Sequence, residues 1–338
     1  MFVNKKKLVL LSITVCLLIS NSALGKTLSR KTRLKKTMSW MYQIQGLETK
    51  SQINALAKTP YPLLVVEPNF NHRDMTDFDC KSMTKKLRVM PNGKNRLILA
   101  YIDVGQAESW RTYWKKSWVA PTVKKKGTPE FLVTVDPDGW ENCYPVAYWK
   151  KGWKKIWVGK NGLIEQLAKM CFDGVYLDWV EAYDDDLIRV AAKKDRINPE
   201  IEMIKFVEEI GKAGKRVIKD FLVVPQNAPF LIDTAPKRYA AAIDALAVED
   251  TWFHGEADAK WDSPKAGDLR TRHDGIWATK GRLNQYKKYL RLGLPVFSVD
   301  YCVKKSNVKM VYKEALKAGL RPLVTRVDLS RITETPPE

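Results

Sequence analysis

A chain of 338 residues, 45% of them hydrophobic, is long enough for one large domain or two average ones. Its 58 Lys and Arg against 38 Asp and Glu leave a formal net charge of +20, a balance that favours anionic surfaces as partners. Three scattered histidines and five cysteines without a CxxC spacing argue against a zinc site, a histidine metal cluster and a Ser-His-Asp triad, leaving carboxylates to carry any catalysis.

Residues 1–25 read as a signal peptide. Lys5, Lys6 and Lys7 precede an apolar run over residues 8–19, and Ala23, Leu24 and Gly25 offer small residues for cleavage near Gly25. The expectation is a secreted or periplasmic protein with no membrane span after cleavage, since no other segment is long and apolar enough to cross a bilayer. Four cysteines then remain, Cys80, Cys143, Cys171 and Cys302; an oxidising compartment permits disulfides, and three pairings are open. Residues 26–60 read as a basic, then aromatic, N-terminal extension packed on the domain that follows.

From residue 61 to 330, β-type runs alternate with helix-type segments. The first strand is expected at 63–66, ending at Glu67, and the second at 97–104, punctuated by Gly105 before a helix beginning near Ala107. The third is either 131–135 or 144–148. Further strands are expected at 175–177, 217–224, 245–248, 295–299 and 322–327, with amphipathic helices at 201–213 and 283–292 among the segments between them. Strand-helix alternation implies a parallel sheet with helices outside, and eight strands fit a closed (β/α)8 barrel of the TIM type. Residues 331–338 are left as a C-terminal tail. A monomer is expected.

Several of these strands end in an acid. Gly174-Val-Tyr-Leu-Asp178 is followed by Glu181; Ala245-Leu-Ala-Val runs into Glu249 and Asp250; Val296-Phe-Ser-Val runs into Asp300 and Tyr301. In a β/α barrel the chemistry sits where the strands end, so Asp178 and Glu249 are the expected catalytic pair. Two carboxyls in one partly desolvated pocket have their pKa values driven apart, which supplies the acid and the base that glycoside hydrolysis needs. Tyr101, Arg111 and Trp114 are expected sugar-binding residues, by stacking and by hydrogen bonds to hydroxyls, with Glu108 and Arg111 paired on one helical face. The amides of Gln226 and Asn227 follow a strand and can orient a ligand. Asp103, Glu108, Tyr148, Glu181, Asp300 and Tyr301 complete the expected substrate-binding set. Asp184, Asp185 and Asp186 read as a solvated helix start; no cofactor or metal is expected.

Seven motifs in order carry a resemblance to a known family. They are Trp40-x-Tyr42-Gln43; Ala100-Tyr101 through Gly105 and Glu108 to Arg111, Tyr113 and Trp114; Tyr144-x-Val146-x-Tyr148-Trp149; Phe172-Asp173-Gly174 to Asp178; Pro225-Gln226-Asn227; Val248-Glu249-Asp250; and Val299-Asp300-Tyr301. From about Trp40 to Asp328 the chain resembles glycoside hydrolase family 114, of the endo-α-1,4-polygalactosaminidase type. The resemblance implies a (β/α)8 barrel, secretion, and hydrolysis of α-1,4-linked galactosamine-containing polymers. It puts the family's catalytic acids on Asp178, as nucleophile or charge stabiliser, and Glu249, as acid/base. Gln106, Glu67 and Ala147 depart from the family pattern. The partners expected are a polysaccharide substrate and an anionic envelope or matrix on which the basic surface docks. No specific nucleic acid is expected, as no recognition motif is present. The rival reading is a catalytically silent barrel that binds acidic glycans.

Overall fold

The computed structural model describes residues 28–337; the expected signal peptide and its cleavage site lie outside the described residues. Eight parallel strands run in chain order: β1 Met41–Gln43, β2 Leu63–Val66, β3 Leu97–Asp103, β4 Gly174–Asp178, β5 Leu222–Pro225, β6 Leu246–Glu249, β7 Val296–Tyr301 and β8 Arg321–Thr325. β1 to β5 form one ladder and β6 to β8 another. A parallel bridge between Gln226 and Ala247 joins them on one side. On the other, the Trp40 indole donates to the Arg321 carbonyl at 2.9 Å.

The strands are short and almost wholly buried, as parallel strands covered on both faces must be. Beneath their C-terminal ends the interior holds rings: Tyr42 lies 5.1 Å from Tyr176, and Trp40 meets Phe297 edge-on at 5.6 Å. Helices cover the outside. The longest, Pro199–Lys215, starts from Asn198, whose side chain accepts from the Ile201 amide, with Pro at its first turn. It buries Met203, Ile204, Phe206, Val207 and Ile210 at helical spacing. Asp185 likewise caps helix Asp186–Lys194, so the three consecutive aspartates do mark a helix start.

Several expectations need correction. The first barrel strand is Met41–Gln43, paired in parallel with β2, so the sheet begins inside the segment read as an extension; three residues are too few to show a period. Neither 131–135 nor 144–148 is a barrel strand, because β3 pairs directly with β4. Residues 104–150 are instead an excursion in which Cys143–Pro145 pairs antiparallel with Gln106–Glu108, and that pairing replaces the helix expected near Ala107. The fifth strand is confined to Leu222–Pro225; Asp220 is turned out to accept from the Arg30 amide and guanidinium. The tail is also tied down, since Thr333 Oγ1 donates to the Val324 carbonyl at 2.6 Å. The four described cysteines are all free.

Candidate active site

The C-terminal ends of the strands deliver polar side chains to one bowl. Asp103 ends β3, Asp178 ends β4 and Glu249 ends β6, while Glu67, Gln226 and Asn227 follow β2 and β5. Asp103 and Asp178 are register partners. Asn69, Trp179, Asn227 and Asp250, all just past strands, take φ of 56°, 54°, 54° and 56°. Non-glycine residues rarely adopt this left-handed region, and such strain collects at functional sites. Gly105 allows a close approach: a Cβ there would stand 2.2 Å from the Trp179 carbonyl oxygen.

Each member of the candidate pair is held by a tyrosine. The Tyr101 hydroxyl donates to Asp178 Oδ2, and the Trp179 amide donates to Oδ1 at 2.8 Å. Across the bowl the Tyr301 hydroxyl donates to Glu249 Oε2 at 2.6 Å. Glu249 Oε1 accepts from Gln226 Nε2 at 2.8 Å and Asn227 Nδ2 at 2.6 Å. Asn227 Oδ1 in turn takes the Glu249 amide at 3.1 Å, so one amide side chain fixes both the backbone and the carboxylate.

Burial over the aromatic floor pushes Asp178 up to about 6, with the Tyr101 hydrogen bond opposing the rise and the charge of Glu249 adding to it. Glu181, two residues past Trp179, is driven well above the usual carboxylate range by burial and then by Asp178. Its Oε2 is buried without a partner. Among the described residues, none of Asp178, Glu181 and Glu249 forms an ion pair. The nearby guanidiniums are committed elsewhere. Arg282, on helix Thr279–Arg291, donates to the main-chain carbonyls of Asp250 and Glu249 at 2.6 and 2.9 Å. Arg111 is buried between Glu108, at 2.7 and 3.1 Å, and Glu67, at 2.8 and 3.0 Å, with Asn71 Oδ1 at 3.2 Å.

Not all of the expected binding set is free to touch a ligand. Every N–H of Arg111 is used within the Glu67–Glu108 cluster, so it has no donor left for a sugar, and its pairing with Glu108 spans a turn rather than a helix face. Asp103 is buried and accepts the Gly105 and Gln106 amides at 3.0 and 2.8 Å, shaping the turn after β3. Tyr148 is buried and its hydroxyl donates to the Pro199 carbonyl at 2.7 Å. Trp114 is half-buried on a ledge with Tyr144 and Trp118. Side chains alternate along β7, so Tyr301 meets Glu249 while Asp300 turns to the segment that follows β6, where Oδ1 accepts the Trp252 and Phe253 amides at 2.6 and 2.9 Å. Sequence reasoning left out Glu67, Asp250 and Arg282. Glu67 follows an apolar run as Asp178 does, and the expected strand 63–66 ends at it, but the expected binding set does not include it. Gln106, the departure from the family pattern, donates to the Asp136 carboxylate.

Asp300 offers a stability test. Burial raises it to about 7, above an unfolded value of ~3.9. The stability it contributes is therefore full below the unfolded value and lost as pH rises through about 7. Asp300→Asn keeps the acceptor for both amides, so its melting temperature should gain on the parent between about pH 4 and about pH 7 and stay ahead above that. A difference independent of pH would contradict the buried-carboxyl account.

A profile of glycoside-hydrolase family GH114 matches residues 23–338. The chain belongs to this family. Among relatives, an uncharacterised protein of Deinococcus radiodurans is 28% identical over 304 residues, 90% of this chain and 85% of its own. One from Thermotoga maritima is 25% identical over 304 residues, 86% and 81% of the two chains. Among solved structures, Aspergillus fumigatus Ega3, crystallised with galactosamine, aligns at a TM-score of 0.58 and 16% identity, covering 91% of this chain and 98% of Ega3. The glycoside hydrolase domain of PelA from Pseudomonas aeruginosa aligns at 0.53 and 12%, covering 88% and 98%. These likenesses establish the barrel fold of this GH114 glycoside hydrolase. Among its described residues, no group of three or more His, Cys, Asp or Glu is arranged to hold a metal ion, and no helix is long and apolar enough to cross a membrane.

Proposed function

We propose that this GH114 chain is an exported hydrolase that cleaves an α-1,4-linked galactosamine-containing polysaccharide with Asp178 and Glu249 as its paired carboxyls. The observation that carries the reading is the trio Asp178, Glu181 and Glu249, gathered at strand ends with no cationic side chain paired to any of them. Carboxylates crowded in a desolvated bowl repel one another, and an ammonium on the sugar supplies the missing counter-charge. Ega3 with bound galactosamine is a precedent for that ligand on this fold. A basic start followed by the apolar run 8–19 supports export. The +20 charge supports docking on an anionic envelope or matrix.

In this reading Asp178 attacks or steadies the sugar cation, and Glu249 protonates the leaving oxygen and then activates water. Tyr101 and Tyr301 keep each carboxyl in position. Because Asp178 works ionised and titrates at about 6, kcat/KM should fall about tenfold per pH unit below about 6. A pH–rate profile that stays flat down to about pH 4 would remove Asp178 from that role.

The substrate is tested by reducing-end release from partly acetylated polygalactosamine, an acidic polysaccharide and a neutral α-glucan at two salt concentrations. Cleavage of the galactosamine polymer is expected. Cleavage of only the acidic polymer, abolished by salt, would overturn the amino-sugar reading. No cleavage of any, with binding that survives Asp178→Asn, would favour a silent glycan-binding barrel.

A further inference from the structure

The end of the barrel opposite Asp178 and Glu249 carries a surface that the hydrolytic reading does not use. Three turns meet there. The chain leaves helix Arg30–Lys36 toward Trp40, whose indole binds the Arg321 carbonyl at the start of β8. The turn after helix Thr279–Arg291 leads into β7, and a Cβ at its Gly293 would stand 3.7 Å from Lys35 Nζ. The turn after helix Lys305–Lys317 leads into β8, and a Cβ at its Gly319 would stand 3.3 Å from Leu290 Cδ1. Exposed at these turns are Met38 at 54%, Leu292 at 52% and Leu316 at 52%. Among them stand the exposed cations Lys35, Lys36, Arg291 and Lys317.

Three acids at this end are already neutralised. Asp173 is paired with Arg30 and Arg88, Asp220 with Arg30, and Asp244 with Lys31. Helix Arg30–Lys36 and helix Thr279–Arg291 contain no acid, and helix Lys305–Lys317 contains only Glu314. Helix dipoles favour a cation in each last turn. They do not account for three large apolar side chains left in water between those cations.

We infer that this face docks on an anionic phospholipid surface. Lys35, Lys36, Arg291 and Lys317 would meet headgroup phosphates while Met38, Leu292 and Leu316 enter the interface, the arrangement by which monotopic proteins hold a bilayer. The inference deepens the envelope-docking reading by naming the face and the lipid. A polyanionic glycan would engage the cations but leave the apolar side chains in water. Docking at this end turns the carboxylate bowl away from the membrane, toward polymer in the surrounding space.

The test is co-flotation of the full chain with vesicles of equal parts phosphatidylglycerol and phosphatidylcholine, against phosphatidylcholine alone. The parent should bind the anionic vesicles about tenfold or more tighter, with the preference falling as salt rises. Lys35→Gln, Lys36→Gln and Lys317→Gln together should abolish that preference. Leu292→Ser with Leu316→Ser should weaken binding to the same vesicles. These residues are exposed, so both variants should keep the parent's melting temperature and its hydrolysis of soluble polymer. Equal binding to both vesicles, or undiminished binding by the leucine variant, would overturn the inference. So would retention on a soluble polyanion without vesicle binding, an outcome that leaves the general docking reading standing.

Discussion

Asp178→Asn and Glu249→Gln are each expected to lower turnover by about 10^3-fold or more while the protein stays folded. Both substitutions are isosteric with what they replace. In Asp178→Asn the amide oxygen can still accept from the Trp179 amide, and the side-chain nitrogen can donate to the Tyr101 oxygen. In Glu249→Gln the oxygen can keep Gln226 and Asn227, and the nitrogen can donate to Tyr301. What each variant loses is the charge or the transferable proton. The melting temperature should hold in both, and rise in Asp178→Asn above about pH 6, where the parent carries a buried charge. Steady-state kinetics with a melting curve for each variant checks the pair. Near-parent turnover in one would remove that residue from the chemistry.

Arg111→Met is expected to destabilise the fold by about 3–5 kcal/mol at neutral pH, the largest stability effect of any single change at the site. It removes the shared cation from Glu67 and Glu108 and strands two buried carboxylates at the base of the bowl. The loss should shrink in acid, because protonated carboxyls need no counter-charge. Adding Glu67→Gln and Glu108→Gln should recover much of it, as replacing a whole buried ion cluster costs far less than breaking one. Urea unfolding of the single and triple variants measures this directly. A single variant as stable as the parent would mean that the cluster is not buried in solution.

The parts of the fold visible in the sequence are those where burial writes a local pattern. The runs at 63–66, 97–104 and 245–248 are apolar because parallel strands are covered on both faces. Helix Pro199–Lys215 shows a 3.6-residue stripe because one side packs on the sheet. Met41–Gln43 escaped because its strand character comes from its neighbour β2, not from its own composition. The excursion 104–150 escaped because its rings, including Trp118 on Phe131 and Trp114 on Tyr144, satisfy one another through long-range contacts. Within the site, strand-end acids and the amides after β5 were legible, since the barrel makes a strand terminus a fixed address. Which way each side chain turns there was not. Asp300 and Tyr301 are adjacent in sequence and point to opposite sides of β7. Arg111 has the right chemistry for a sugar, but three acceptors from elsewhere in the chain consume it. Arg282, which grips the carbonyls of Glu249 and Asp250, comes from a helix whose sequence gives no sign of that contact.

The most direct measurement is a structure of the Glu249→Gln variant with a galactosamine oligomer. The oligomer is expected in the bowl, with a glycosidic oxygen beside residue 249, Asp178 near the anomeric carbon of the same sugar, and an ammonium within reach of Glu181. A separate hollow of about 660 Å³ lies between helices Lys50–Ala57 and Cys80–Arg88, beside Asp74, Asp77 and Phe78. An oligomer bound only there, with the bowl empty at saturating ligand, would contradict the account.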